Sequence, residues 1–178
     1  MRELEDALAN YTKAEQFLKS ILSKQPNMVD ARRFYCNTCW ERAKLLASSD
    51  RHTEALKDFE HLLKHPTDSR MPIFRLERAK SLIATHAYQA TYLEVKELSK
   101  LTKWKAQNWY DLARLCCQAG AALKEQAIEY PELTITLLKR AIESGFSDGA
   151  KLSSDVAFLS LSDRPEFKEL VKSVPQRS

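Results

Sequence analysis

Residues that interrupt helices are scarce in this sequence of 178 residues. There are only three glycines, Gly120, Gly145 and Gly149, and six prolines that stand singly between periodic segments. Ala, Leu, Lys, Glu and Gln occur throughout, and these residues have high helix propensity. The composition therefore predicts an all-α protein with little room for strands.

Long apolar runs are also lacking. The longest stretch without Lys, Arg, Asp or Glu extends only from Ser81 to Leu93. A helix that spans a bilayer needs about 20 predominantly apolar residues. Residues 1–6 are acidic and unlike a signal peptide. We therefore expect no membrane segment and a cytoplasmic location.

Neither charge nor cysteine spacing indicates a special class of protein. The 28 basic and 24 acidic residues give a net charge of +4, which is too mild for the basic footprint of a nucleic-acid-binding domain. The four cysteines form two close pairs, Cys36/Cys39 and Cys116/Cys117. This is not the disulfide framework of a small secreted domain, so we expect reduced thiols.

The spacing of Cys36 and Cys39 also occurs in zinc sites, where four ligands converge. Adjacent residues on a helix diverge by about 100°, so Cys116 and Cys117 make a poor second pair of ligands. Buried thiols in helix packing explain all four cysteines better. We expect no metal and no cofactor.

The most informative feature that is present is a duplication. The sequence Glu-Arg-Ala-Lys occurs at 41–44 and again at 77–80, which is a period in the mid-thirties. Leucines and lysines further along the two copies also match: Leu46/Leu82, Leu62/Leu98 and Lys64/Lys100. Such a period is typical of helical-repeat proteins, in which pairs of helices stack to bury a common core.

Apolar residues recur every three or four positions along most of the chain, which predicts amphipathic helices. In the second predicted helix, from about 28 to 48, Phe34 is among the residues expected to face inward. The predicted pairs of helices span about 4–23, 28–65, 70–101 and 105–145, followed by a C-terminal cap and tail at 147–178.

Two patterns resemble the tetratricopeptide repeat (TPR). The segment Trp109-x2-Leu112-Ala113-x2-Cys116-x3-Gly120 resembles the first helix of a TPR, with Cys where an aromatic residue is usual. The second-helix pattern is matched by Ala14-Leu18-Ile21-Pro26 and by Ala55-Phe59-Leu62-Pro66. At the position where the third copy has the leucine usual for the family, Leu112, the two earlier copies have Arg42 and Arg78. The resemblance covers about residues 4–146 and implies a TPR-like α-α superhelix, a right-handed solenoid of helical hairpins with short C-terminal capping helices.

A narrower resemblance lies at the end of the chain. Residues 108–113 and 137–148, followed by Leu152-x2-Asp155-x3-Leu159-x5-Pro165-x-Phe167-x2-Leu170, resemble the terminal TPR segment of planctomycete-type bacterial serine/threonine protein kinases. The resemblance implies the recruiting or regulatory part of such a signalling protein. The sequence has no glycine-rich phosphate loop, no His-Arg-Asp and no Asp-Phe-Gly, so kinase activity would require a catalytic domain outside this chain.

No catalytic residues are predicted. No Ser, Cys or paired carboxylate is placed beside a histidine by a helical spacing that stands out as an acid–base or nucleophilic arrangement. The four histidines, His52, His61, His65 and His86, are therefore expected on the surface, and we expect no enzyme activity of this chain.

The strongest candidate for a binding site is a row of cations, the cation ladder, formed by Lys44, Lys80 and Arg114. One residue before each cation stands a small alanine, so in a TPR register all three lie on one concave face. The other side chains predicted on this face are Asn37, Trp40, Leu76, Gln107 and Tyr110. Cations beside apolar side chains suit an extended or helical peptide that carries carboxylates.

Other interpretations of the cation ladder remain open from the sequence. The ladder could be a solvated face, or it could be covered by another domain or by a second copy of the chain through self-association. An RNA-binding helical repeat would present a similar basic row, but such repeats read bases with matched side chains, and no such code is visible here. We expect a protein or peptide partner and no nucleic acid.

Overall fold

The computed structural model describes residues 2–64 and 69–174. Helices make up 81% of the structure and no strand occurs in the described ranges, which confirms the predicted all-α class. The helices are α1 (Arg2–Lys24), α2 (Val29–Ser48), α3 (His52–Leu63), α4 (Met71–Ala84), α5 (Tyr88–Leu98), α6 (Ala106–Leu123), α7 (Tyr130–Glu143), α8 (Gly149–Ser154) and α9 (Pro165–Ser173). Two 3-10 helices, Lys124–Ala127 and Val156–Leu161, flank α7 and α8. None of these helices is long and apolar enough to cross a membrane.

The period of the sequence appears again in the local geometry of the helix ends. Asp50 after α2 and His86 after α4 occupy equivalent positions of the two copies, and both have a φ of 59°. In each turn, a backbone N–H donates five positions back, from Arg51 to the Leu46 carbonyl and from Ala87 to the Leu82 carbonyl, both at 2.9 Å. This is the Schellman motif, which satisfies the last carbonyls of a helix.

A third copy of the same motif ends α7. Gly145 has a φ of 104°, and the N–H of Phe146 donates to the Ala141 carbonyl at 2.9 Å. Gly145 therefore forms the C-terminal cap of α7. Glycine adopts this backbone conformation without steric cost, whereas Asp50 and His86 adopt it as L-residues.

The chain divides into two compact units, Met1–Ser81 and Leu82–Ser178. In the N-terminal unit, α2 packs against both α1 and α3. Its core contains two small residues with no exposed surface, Ala43 on α2 and Ala55 on α3, around which larger side chains pack. The core consists of Leu8, Tyr35, Cys36, Cys39, Ala43, Leu46, Ala55, Phe59, Leu62 and Phe74. The prediction that Phe34 faces inward is wrong, because its side chain is 52% exposed.

In the C-terminal unit, α6 is central and packs against α5, α7 and the second 3-10 helix, and α9 packs against α7 and α8. Trp109, Leu112, Ala113 and Cys116 of α6 are buried. The segment predicted as a cap, from residue 147 onward, belongs to this unit as far as it is described. Residue 65, where the second predicted pair ends, and residues 175–178 of the predicted tail lie outside the described ranges, as does Pro66.

Candidate functional site

Three of the predicted partner-binding residues lie on α2 in the N-terminal unit. Asn37 and Trp40 are half-buried, and Lys44 is exposed. The Lys44 ammonium lies 5.4 Å from the centre of the Trp40 ring and 2.8 Å from a carboxylate oxygen of Glu41. Lys44 therefore combines an exposed charge with an aromatic surface, and an acidic neighbour partly neutralises this charge.

The beginning of α4 lies beside this face of α2. The rings of Trp40 and Phe74 are 4.9 Å apart, and the Arg70 guanidinium donates to the Asn37 side-chain carbonyl at 2.8 Å. Further along α4, the Lys80 ammonium is 2.9 Å from a carboxylate oxygen of Glu77. We call the exposed parts of these two helices, with Asn37, Trp40, Lys44 and Lys80, the α2–α4 face.

Leu76 does not belong to the α2–α4 face. The sequence pattern predicts that it contacts a partner, but its side chain is 1% exposed and is therefore not accessible. The physical reason is that α4 buries the positions of Phe74, Leu76 and Ala79 together, so Leu76 serves the core and not the surface.

One of the predicted contacts on α6, Tyr110, also needs correction. Tyr110 is fully buried, stacks on Phe146 with ring centroids 4.3 Å apart, and donates its hydroxyl to Asp155 at 2.8 Å. Arg114 pairs with the same carboxylate through its Nε at 2.7 Å. Gln107 is exposed and donates within the helix to Asp111 at 2.6 Å. Tyr110 thus packs against the C-terminal segment and is not accessible to a partner. Arg114 pairs with Asp155, but its side chain is 41% exposed.

Asp155 is the centre of this second arrangement. Its other carboxylate oxygen accepts from the backbone N–H of Ala157 at 3.0 Å and caps the second 3-10 helix. Burial, together with the bond to Asp155, raises the pKa of the Tyr110 hydroxyl above its ordinary value. The hydroxyl therefore stays protonated and acts as a hydrogen-bond donor at any physiological pH.

A network that is absent from the sequence-based predictions links α1, α2 and α3. Arg42 donates to both oxygens of Asp58, from Nε at 2.8 Å and from Nη2 at 2.6 Å. The same Nη2 is 2.7 Å from a carboxylate oxygen of Glu15, and Nη1 donates to the Thr12 hydroxyl at 3.2 Å. Lys19 forms a second ion pair with Glu15. The side chains of Arg42, Asp58 and Glu15 are no more than 13% exposed, so these charges are largely removed from water.

Burial works against ionisation of Glu15, but hydrogen bonds from Lys19 and Arg42 outweigh it and hold the pKa of this carboxyl below its ordinary value. A cavity of about 180 Å³ lies beside the network and is lined by Leu8, Thr12, Arg42, Leu46, Arg51, Glu54, Lys57 and Asp58. Its cations are largely matched by carboxylates, since Arg51 binds Glu54 through two bonds and Glu5 through a third. The network is therefore a structural tie between helices.

A signal for this network was present in the sequence. Asp58 follows Arg42 at a separation of 16 in the chain. Arg78 and Glu94 repeat the same types at the same spacing in the next copy of the repeat. Asp58 and Glu94 are both buried. An arginine that replaces a leucine in two copies, each time followed by an acid at one fixed spacing, indicates a repeated pattern and not loss of the repeat.

The cysteines and histidines of the described ranges show no arrangement for metal binding. All four thiols are buried, as predicted, and burial raises the pKa of Cys39 and of Cys116 to about 12. His52 lies 3.3 Å from the Ser81 hydroxyl, and His61 packs edge-on against Tyr35. Within residues 2–64 and 69–174, no three His, Cys, Asp or Glu side chains come together as metal ligands. His65 lies outside these ranges.

Comparisons of the chain with protein-family models, curated proteins and solved structures found no match. The site is therefore interpreted from its own geometry. Its main features are the half-exposed α2–α4 face, the buried ion-pair network around Arg42, and the contacts of Asp155 with Tyr110 and Arg114.

Proposed function

We propose that this chain is a TPR-like helical-repeat protein that acts as a protein–protein interaction scaffold. The α2–α4 face binds an extended or helical peptide that carries carboxylates. Lys44 and Lys80 contact the carboxylates, and Trp40 contacts an apolar side chain of the same peptide.

The observation that carries this proposal is a repeated surface pair. Glu41 with Lys44 and Glu77 with Lys80 have the same separation in adjacent copies of the repeat, at 2.8 and 2.9 Å. Ion pairs between partly exposed side chains contribute about 0–1 kcal/mol, so a carboxylate from a partner can replace Glu41 or Glu77 at small cost. The aromatic ring of Trp40 beside Lys44 adds an apolar contact, which charge alone would not supply.

Two features support the TPR-like part of the proposal. The Schellman turns after α2 and α4 repeat one backbone geometry at equivalent positions, each after the first helix of a predicted pair. The small residues Ala43, Ala79 and Ala113, which recur in the repeat, have no exposed surface, as close approach of paired helices requires. The arginine at positions 42 and 78 is the main departure from the TPR pattern.

The resemblance at the end of the chain supports a wider context for this binding. We propose that the scaffold is the recruiting or regulatory part of a bacterial signalling protein of the serine/threonine kinase type, in the cytoplasm. A kinase domain in the same open reading frame would support this context, and a different enzyme or a membrane anchor there would contradict it.

Binding at the α2–α4 face can be tested with peptides selected from a random library on the full chain. Selected peptides should be enriched in Asp and Glu. The double variant Lys44→Glu, Lys80→Glu should bind them at least about tenfold more weakly, because attraction becomes repulsion at two contacts. Lys24→Glu is the matched control, since Lys24 is an exposed lysine at the end of α1 in the same unit. Equal binding by the double variant and the control would contradict the proposal.

A further inference from the structure

A second surface with different chemistry lies in the C-terminal unit. It is a groove with a volume of about 410 Å³. Ten residues line it: Ile83, His86, Tyr88, Gln118, Ala121, Ala122, Val156, Ala157, Leu159 and Ser160. We call it the Val156 groove. Its volume is within the range of about 300–1,000 Å³ that is usual for ligand pockets in proteins.

One side of the Val156 groove is formed by two aliphatic side chains that remain in water. Val156 is 71% exposed and Leu159 is 68% exposed. They lie three positions apart on a 3-10 helix, which has three residues per turn, so the two side chains stand one above the other. Asp155 caps this helix and contacts Tyr110 and Arg114 of α6. These contacts hold the helix that carries Val156 and Leu159 against α6.

The end of α6 supplies the next part of the lining. Ala121 and Ala122 are small, so a second backbone can approach α6 closely at this point. Gln118 is half-buried one turn earlier, and its side-chain amide has no hydrogen-bond partner among the described residues. A primary amide offers two donors and one acceptor, which matches the N–H and C=O groups of an extended peptide.

Among the described residues, no charged side chain of Lys, Arg, Asp or Glu lines the groove. No Lys, Arg, Asp or Glu is among the ten residues, although these types make up 29% of the chain. A charged group that entered the groove would lose its water without gaining an opposite charge, which is costly. An uncharged aliphatic segment would lose no such hydration, and it would remove the exposed apolar surface of Val156 and Leu159 from water.

We propose that the Val156 groove binds a short, uncharged peptide segment of a partner protein, with aliphatic side chains against Val156 and Leu159 and with its backbone bonded to Gln118. This site is separate from the α2–α4 face and does not depend on it. The scaffold would then recognise two kinds of segment, an acidic one in its N-terminal unit and an aliphatic one in its C-terminal unit.

The test uses peptides selected from a random library on the full chain and then synthesised with blocked ends. A class of peptides without charged residues and with two or more aliphatic side chains should be enriched. The double variant Val156→Ser, Leu159→Ser should bind this class at least about tenfold more weakly, because both apolar contacts are lost. Gln118→Ala should weaken binding by a smaller factor. Because Val156 and Leu159 are exposed, the double variant should keep the circular dichroism and thermal midpoint of the wild type.

The matched control is the double variant Leu93→Ser, Ile128→Ser, which removes two exposed aliphatic side chains of the same unit outside the groove. It should bind the selected peptides as the wild type does. The proposal is overturned if no uncharged class is enriched, or if the two double variants bind equally. It is also overturned if sedimentation shows a dimer of the wild type that Val156→Ser, Leu159→Ser converts to a monomer, because a second copy would then occupy the groove. Retained binding by Lys44→Glu, Lys80→Glu distinguishes this site from the α2–α4 face.

Discussion

Arg42 binds both carboxylate oxygens of Asp58, with donor–acceptor distances of 2.8 and 2.6 Å. The two residues lie on α2 and α3, and the same guanidinium reaches Glu15 on α1, so one side chain joins three helices. Bidentate Arg–carboxylate pairs have strict geometry and are among the stronger hydrogen-bonded contacts in proteins. Apolar packing alone is not directional, so this network helps to fix how α1, α2 and α3 are oriented in the N-terminal unit.

Replacement of Arg42 by Met should strongly destabilise the N-terminal unit. The change leaves the buried carboxylates of Asp58 and Glu15 without their main partner, and breaking a buried ion pair in this way costs about 3–5 kcal/mol. The free energy of unfolding measured with urea should fall by an amount of this order. Arg42→Lys should lose less, because it keeps the charge but not the paired geometry.

A triple variant separates lost pairing from lost packing. Arg42→Met combined with Asp58→Leu and Glu15→Gln removes the charges together, so stability should return to near that of the wild type. Glu41→Gln, at an exposed neighbouring position, is the control and should change stability by less than about 0.5 kcal/mol. A loss below about 1 kcal/mol for Arg42→Met would show that the network contributes little.

Stability should also depend on pH through Glu15. Its pKa in the folded chain lies below the ordinary value of 4.5, so between these two values the unfolded chain binds more protons. The contribution of Glu15 is therefore complete above pH 4.5 and is lost as pH falls through the folded pKa. The groups that face Glu15 are Lys19 on α1 and Arg42 on α2, with Asp58 on α3 bound to the same guanidinium.

The measurement for Glu15 is the free energy of urea unfolding from acidic to neutral pH. Glu15→Gln should flatten the acidic part of the curve. Glu3→Gln, which changes an exposed carboxylate near the start of the same helix, should leave its slope nearly unchanged. Identical acidic slopes for the wild type and Glu15→Gln would mean that ionisation of Glu15 is not linked to folding.

Helix positions could be predicted from the sequence because they depend on local periodicity. The repeated leucines at 46 and 82 accept the same capping bond, and Gly145 caps the end of α7. Such features involve residues within about one turn of each other. Features that depend on residues close together in the chain can be predicted from the spacing of apolar residues and from the residues at helix ends.

The roles of Tyr110 and Arg42 could not be predicted in this way. Tyr110 lies on the expected face of α6, but what covers it is Phe146 and Asp155, which belong to much later segments of the chain. Periodicity indicates which side of a helix a residue occupies and not which later segment packs there. For Arg42, a polar residue at an apolar position resembles loss of the pattern when α2 is considered alone, because its acidic partner lies on the following helix.

Asp155 should be the residue on which the attachment of the C-terminal segment depends most. Asp155→Ala would leave the buried Tyr110 hydroxyl and the Ala157 N–H without their acceptor and Arg114 without its ion-pair partner, at a cost of about 1–3 kcal/mol. Hydrogen exchange should rise throughout α8, the second 3-10 helix and α9. Tyr110→Phe should cost about 0.5–1.5 kcal/mol, since only one bond is lost.

Asp163→Ala is the control for this prediction. Asp163 is also in the C-terminal segment, but its side chain is fully exposed and its ion pair with Lys168 is long at 3.8 Å. Exchange in this control should match the wild type. If Asp155→Ala also matched it, then apolar packing alone would hold the segment.

Gly120 should not tolerate even alanine. A Cβ added at this position would lie 2.2 Å from both the Cβ and the Cγ of Tyr130, which is far inside contact distance. Alanine favours helix over glycine by about 0.8–1.0 kcal/mol, but forced overpacking costs about 1–3 kcal/mol and should outweigh this gain. Thermal and urea unfolding of Gly120→Ala measure the difference.

Gly145→Ala provides a comparison with a different cause. Its added methyl meets nothing within 4 Å, but its φ of 104° is unfavourable for an L-residue. We expect a loss of about 1–2 kcal/mol from backbone strain alone. Gly120→Ala that is as stable as the wild type would mean that Tyr130 moves away without cost.

The four thiols provide separate reporters of the two units. Cys36 and Cys39 are buried in the N-terminal unit, and Cys116 and Cys117 are buried in the C-terminal unit. A thiol reagent attacks the thiolate, and burial both blocks access and raises the pKa, to about 12 for Cys39 and Cys116. Labelling of the native chain should therefore require opening of the unit concerned, and it should be at least about a hundredfold slower than labelling in urea.

Above pH 9.0 the same burial should reduce stability. The unfolded chain loses thiol protons there while Cys39 and Cys116 remain protonated in the folded chain, so the free energy of unfolding falls as pH rises from 9.0 to about 12. Cys39→Ala with Cys116→Ala should make this decline shallower.

The labelling prediction has its own control. Ser20→Cys, at an exposed position on α1, should react at the rate of an unprotected thiol. Arg42→Met should speed the labelling of Cys36 and Cys39, because it removes the ion-pair network that joins α1, α2 and α3. If Cys116 and Cys117 were labelled faster by the same factor, the two units would open together.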